Sequence, residues 1–153
     1  MATQPNINRL ILHDGIEELI ARFDDAAIRY DREAFRSLWV ENAVWEISVP
    51  ASLRAVGRDE IVRAFEDFHK VNEFFFRSTS RPVIHFDGDR ATFRSPTVEL
   101  ARRAGNIGYA NVAVYFDEAI LEEGEWRFTR RSYQYLWVDL KTVLNGEIVP
   151  LSV

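Results

Sequence analysis

An acid set into an alternating apolar stretch is the first feature of this sequence that could do chemistry. In Phe93-Arg94-Ser95-Pro96-Thr97-Val98-Glu99-Leu100, the residues Phe93, Ser95, Thr97 and Glu99 share one face of a strand, opposite Arg94, Val98 and Leu100. Facing inward, Glu99 is a proton acceptor or donor; on an edge it is a solvated charge, and Pro96 marks an edge or bulge that would break the register. Arg77, in Phe75-Phe76-Arg77-Ser78-Thr79, stays protonated and so cannot be a base. It can pair with an acid, hold a carboxylate or enolate, or lie on the outer face as a sheet charge. Tyr109, Asn111, Ala113 and Tyr115 share a face of a later strand, where Asn111 needs a partner, either a substrate oxygen or another side chain. Arg131, Tyr133, Tyr135 and Trp137 share a face of the last strand. They form either a cavity wall with a cation for developing negative charge, or an outward aromatic contact with another subunit.

Asp31 precedes Arg32-Glu33-Ala34-Phe35 and reads two ways: as the N-cap of a helix, or as a cavity carboxylate acting as base or orienting a cation. Pairing with Arg77 would lower its pKa and weaken it as a base. His13, His69 and His85 read as surface or structural residues, and His69 ends a helix where a cation suits the dipole. There is no cysteine, no His-x-x-x-His and no carboxylate cluster at ligand spacing, so neither a metal nor another cofactor is expected. Gly57 and Gly88 are turn glycines rather than phosphate cradles.

The elements that must position these side chains follow from periodicity. Leu12, Ile16, Leu19, Ile20, Phe23, Ala27 and Tyr30 form the stripe of an amphipathic helix, capped by Asp14 with Glu17 or starting earlier near Asn6 or Asn8. A second short helix presents Phe35, Leu38 and Trp39. Residues 44–49 alternate as a strand ended by Pro50, and residues 53–56 return. Gly57 makes the turn, and Asp59 can cap a third helix with Ile61, Val62, Phe65 and Phe68 inward. From Glu73 onward the period is two. Strands over about 74–86, 91–102, 107–121 and 126–138 are joined by Asp87-Gly88-Asp89, Ala104-Gly105-Asn106 and Glu122-Glu123-Gly124-Glu125. This predicts an α+β fold, with three N-terminal helices packed on a strongly curved antiparallel sheet. Residues 139–153 are expected along the surface or against a neighbouring subunit.

Composition bounds the partners. A chain of 153 residues is expected to form one domain, 1–153, burying on the order of two thirds of its unfolded surface. A net charge of −5 argues against a nucleic-acid partner. The start MATQPNINRL lacks a basic segment followed by an apolar one, and no run of ~18 apolar residues occurs, so a cytoplasmic protein without a membrane partner is expected. Aromatic residues make up 13% of the chain, enough either to fill a core or to wall a ligand cavity.

The element order, with Leu38-Trp39-Val40-Glu41-Asn42-Ala43-Val44-Trp45-Glu46-Ile47 and Gly124-Glu125-Trp126-Arg127-Phe128, resembles the SnoaL-like branch of the NTF2-like superfamily over about residues 16–137. The resemblance implies an open cone with a cavity between the helices and the concave face of the sheet. In the lyase members (scytalone dehydratase, hexachlorocyclohexane dehydrochlorinase and bile-acid dehydratase), an Asp/His pair carries the chemistry. Asp31, preceded by Tyr30, matches the Asp; Phe76 or Arg77 stands where the His is expected, and neither is a His. Glu99 resembles the second carboxylate of the bile-acid dehydratases. Arg131 resembles a functional Arg of the dehydrochlorinases, and Trp45 a pocket Trp of the same relatives.

The function expected is therefore that of a cofactor-free lyase or isomerase, dehydratase-, dehydrochlorinase- or ketosteroid-isomerase-like, acting on a small apolar ring-containing molecule. Asp31, Glu99, Arg77 and Arg131 are its candidate catalytic residues, and Tyr30, Trp45, Asn111, Tyr109 and Tyr135 its candidate substrate contacts. The missing His favours the alternative, a non-catalytic binding or assembly module, including one like the small subunit of ring-hydroxylating dioxygenases. Such a sheet leaves an open outer face, so a homodimer or homotrimer is expected.

Overall fold

The computed structural model describes residues 4–152. In chain order its elements are α1 (Gln4–Arg29), α2 (Arg32–Ser37), β1 (Trp39–Ile47), β2 (Leu53–Val56), α3 (Arg58–Val71), β3 (Phe74–Thr79), β4 (Val83–Asp87), β5 (Arg90–Arg102), β6 (Ile107–Glu122) and β7 (Glu125–Val143). The strands form one sheet in the order β2-β1-β7-β6-β5-β3, with β4 also paired to β5. Three helices on one curved sheet are the α+β arrangement that the periodicities predict.

Several boundaries differ, each for a local reason. α1 begins at Gln4, so Asp14 and Glu17 lie inside the helix rather than at its cap. Trp39 belongs to β1, where it pairs with Phe128, and not to the face of α2. β1 runs parallel to β7, so the sheet is mixed rather than purely antiparallel. The whole meander separates these two strands, and no hairpin turn dictates their direction. The expected strand over 74–86 is two strands, β3 and β4, both antiparallel to β5. Ser80-Arg81-Pro82 divides them, and Pro82 has no N–H for a ladder. Pro96 of β5 stands opposite this gap, where its carbonyl accepts from the Ser80 N–H (2.8 Å) and its missing N–H is not needed. The register of β5 therefore passes through Pro96 unbroken, and Glu99 pairs with Arg77 on one side and Asn111 on the other.

α3 is entered through Gly57, whose φ of +89° suits a residue without a Cβ. Asp59 does not cap the helix; it lies in the first turn and pairs with Arg36 at 2.6 Å. β7 continues past residue 138 to Val143, and the segment beyond it docks on its own chain. There Arg102 Nη1 donates to the carbonyls of Leu144 (3.2 Å) and Gly146 (2.6 Å).

Phe23 of α1 stands at the centre of the core. Its ring meets Trp39, Trp45, Tyr115 and Phe128 edge-on, at centroid separations of 5.9–6.3 Å. Phe35 of α2 stacks on Phe65 of α3 at 4.0 Å. Each fully buried aromatic ring contributes about 1.5–3 kcal/mol by leaving water, so this cluster ties all three helices to the sheet.

Candidate active site

Aromatic packing does not fill the cone. A cavity of about 390 Å³ remains between α1, α3 and the concave sheet face. Its apolar wall includes Phe23, Phe35, Trp45, Phe65, Phe68 and Phe75; its polar groups are Arg77, Glu99, His69, Arg103, Tyr109, Tyr115, Tyr133 and Tyr135. The aromatic content thus serves both core and cavity.

On the sheet floor, alternation places Arg77 and Glu99 inward on adjacent strands, as cross-strand partners. Arg77 is 3% exposed and Glu99 7% exposed. Arg77 Nη1 lies 3.4 Å from Glu99 Oε1, and Arg77 Nε lies 2.7 Å from Asp24 Oδ1 of α1. The Nε contact is an ion pair without the alignment of a hydrogen bond. Asp24 is held in turn by the Thr79 N–H (3.0 Å) and hydroxyl (3.1 Å). Glu99 Oε2 accepts from Asn111 Nδ2 at 3.2 Å, and Asn111 Oδ1 accepts from the Tyr133 hydroxyl at 2.6 Å. Burial opposes the charge on Arg77, but Tyr115, Asp24, Glu99 and Tyr133 outweigh it and hold the guanidinium above its ordinary pKa. Burial raises the pKa of Tyr109, Tyr115 and Tyr133, and pushes Tyr135 up to about 12, so all four keep their hydroxyl protons near neutral pH.

The other expected site residues are distributed differently. Asp31 lies outside the cavity lining. Tyr30 turns the chain at a φ of +60°, which leaves Asp31 as the N-cap of α2, accepting from the Ala34 N–H at 2.9 Å. Its other oxygen meets Arg29 at 3.2 Å. The cap alone predicts that Asp31→Ala costs about 0.5–2 kcal/mol in denaturant unfolding; a cavity role would add a loss of turnover per folded molecule. Tyr30 backs the cavity, with its hydroxyl donating to the Asn72 carbonyl (3.2 Å) and its ring against His69. Trp45 lines the cavity and donates to the Tyr115 hydroxyl at 3.3 Å. Asn111 lies behind the lining, tied to Glu99 and Tyr133.

Arg131 is fully buried and also behind the lining. Its Nε and Nη2 both reach Asp117 at 2.9 Å, and its guanidinium lies 3.7 Å from the ring centroid of Tyr115 and 4.1 Å from that of Phe23. Trp137 does not share the inner face of Tyr133 and Tyr135. Ala113 pairs with Tyr135 and Val112 with Trp137, so Leu136 is an extra residue that turns Trp137 outward, where it is 55% exposed.

Sequence reasoning misses Asp24 and Asp117, although both carry a signal. Asp24 is four residues after Ile20 and three before Ala27, on the flank of the buried stripe. Asp117 continues the parity of Asn111, Ala113 and Tyr115. His69 reads from sequence as surface or structural, yet it reaches the cavity. Desolvation lowers its pKa from the ordinary 6.5 to about 4. The unfolded chain therefore binds more protons between those values, and the His69 contribution to stability, full above pH 6.5, is lost as pH falls toward 4. His69→Phe should flatten that part of the pH dependence in urea unfolding measured from about pH 4 to 7.

Residues 8–132 match the SnoaL-like domain family. The chain belongs to the SnoaL-like family. Solved structures similar to this SnoaL-like chain include a candidate scytalone dehydratase from Novosphingobium aromaticivorans, at 19% identity, covering 97% of this chain and 99% of that one with a TM-score of 0.82. The hexachlorocyclohexane dehydrochlorinase LinA-type3 from Novosphingobium barchaimii is 18% identical over 95% and 99%, with a TM-score of 0.79. A variant of the Mycobacterium tuberculosis protein Rv3472, of unknown function, is 23% identical over 88% and 78%, with a TM-score of 0.78. At these identities the likeness establishes the NTF2-like cone and not the chemistry. No curated protein matches the chain. Among the described residues of this SnoaL-like domain, no helix is long and apolar enough to cross a membrane.

Proposed function

We propose that this SnoaL-like domain is a cofactor-free lyase or isomerase whose cavity binds a small, apolar, ring-containing molecule and moves a proton with Glu99. The observation that carries the reading is the Glu99–Arg77 pair on the floor of an aromatic-walled cavity. A carboxylate there can take a proton from a carbon, and a guanidinium beside it stabilises the anion that results. In an elimination, the C–H proton goes to Glu99 and the C–H electron pair becomes the new double bond. The leaving group departs with its own electron pair toward Arg77, with Tyr109 and Tyr135 as hydroxyl donors. In an isomerisation, Glu99 returns the proton to a different carbon. Asp24 and Asn111 act as positioning residues, fixing the guanidinium and the carboxylate respectively; Arg131 braces Phe23 and Tyr115 from behind. Asp31 remains the cap of α2.

The likeness to dehydratase and dehydrochlorinase structures is consistent with this reading. One observation favours a purely binding role: the buried charges at the floor of the cavity are already paired with one another, Asp24 with Arg77 and Arg77 with Glu99. Incubation with hydroxylated and halogenated ring compounds, followed by mass spectrometry, separates the two. Loss of water or hydrogen halide, or a solvent-deuterium-labelled isomer, supports catalysis. Ligands retained and recovered unchanged support the binding module. We further propose a single domain over 1–153 that self-associates as a dimer or trimer through the outer sheet face, where Phe76, Val98 and Trp137 are exposed.

A further inference from the structure

The cavity has a second polar pole that the proposed proton transfer does not use. His69, in the last turn of α3, lines the cavity, and both of its ring nitrogens are buried. Neither nitrogen has a hydrogen-bond partner among the described residues. Native proteins seldom leave both nitrogens of a buried imidazole in this state, so a group outside the chain is the natural partner. The ring is fixed by its surroundings: Tyr30 packs on it at a centroid separation of 3.7 Å, and Phe65 and Phe68 meet it edge-on at 4.2 and 5.3 Å. Tyr30 is itself anchored by its hydrogen bond to the Asn72 carbonyl just beyond the helix. This aromatic box disfavours the imidazolium, so the ring offers one N–H and one bare nitrogen, a donor and an acceptor together. A hydroxyl is a group that can use either.

We infer that His69 is a ligand-binding residue of this cavity, and that the ring compound it selects carries a hydroxyl group held by the imidazole. The inference rests on the reading of the cavity as a substrate site, and it narrows the substrate class. The ligand has an apolar ring body, its reacting carbon lies over Glu99 and Arg77 on the sheet floor, and its hydroxyl is directed to the wall formed by α3. Tyr30 is then a positioning residue for His69 rather than a contact of the ligand.

The test compares two nearly isosteric fluorescent probes, 2-naphthol and 2-methylnaphthalene, on the full chain and on His69→Phe, His69→Gln and Glu99→Gln. A hydrogen bond to a neutral partner predicts that the wild type prefers 2-naphthol and that His69→Phe weakens it by about 3- to 10-fold, with 2-methylnaphthalene unchanged. His69→Gln, which keeps a donor and an acceptor, restores part of the preference. In ¹⁵N-histidine-labelled protein, 2-naphthol shifts the His69 ring nitrogens and leaves those of His13 and His85 in place. Equal binding of both probes by the wild type, or an unchanged preference in His69→Phe, overturns the inference. A preference lost in Glu99→Gln and kept in His69→Phe overturns it while leaving the substrate site intact. Failure of both probes to bind the wild type overturns the substrate site itself.

Discussion

Glu99→Gln is expected to lower turnover at least ~100-fold on any substrate that the protein converts, because an amide cannot accept a proton from carbon. The substitution is nearly isosteric, and its side-chain carbonyl can still accept from Asn111 Nδ2, which now reaches Glu99 at 3.2 Å. Arg77 keeps its second partner, Asp24. Stability should therefore fall by only about 1 kcal/mol, the worth of one ordinary polar contact. The decisive measurement pairs single-turnover rates with urea unfolding of the same preparations. A rate loss with the fold intact assigns the proton transfer to Glu99. Unchanged turnover would remove Glu99 from the role and shift attention to other groups around the cavity. Arg77→Met would then be uninformative, since it strands two carboxylates at once.

The largest effect on stability is expected from Asp117→Ala. Asp117 and Arg131 have no exposed side-chain surface, and the pair is joined by two hydrogen bonds of 2.9 Å. Burial pushes the Asp117 carboxyl up against the pull of Arg131, a sign of how poorly this site tolerates an isolated charge. Removing the carboxylate leaves a buried guanidinium unpaired, at a cost of about 3–5 kcal/mol. For a domain of this size that corresponds to a Tm lowered by roughly 6–20 °C in calorimetry. The double variant Asp117→Leu with Arg131→Met removes both charges and should recover most of the loss, since an apolar pair of similar volume avoids the desolvation cost altogether. A single variant as stable as wild type would show that water reaches the guanidinium. The pair would then contribute little to holding Phe23 and Tyr115.

The limits of reading the sequence are clearest along β5 and β7. Glu99 was legible because alternation survives Pro96, and it survives because the proline faces the gap between β3 and β4. On β7 the same rule groups Arg131, Tyr133 and Tyr135 on one face, which the packed structure turns inward, but it fails at Trp137, because one extra residue resets a period of two. Asp31 and Asp24 sit seven residues apart, two helical turns had the helix continued through both. The left-handed turn at Tyr30 ends α1, so the first acid caps the next helix and the second reaches Arg77.

Local sequence was enough to set the layers: helical periodicity in the first third, strand periodicity after Glu73, and the turns that make the meander. These are local properties, fixed by side-chain spacing and by glycine and asparagine conformations. Alternation also sets which residues share a face within one strand, but that Arg77 and Glu99 lie side by side on the inward face comes from the pairing of β3 with β5. The partners came from the packed chain instead. Asp24 meets Arg77, Asp117 meets Arg131, and His69 enters the cavity from α3, all by contacts between separate elements. Spacing within one element constrains direction, whereas pairing between elements depends on how the helices cross the sheet and how tightly the sheet curls. Those are properties of the whole core.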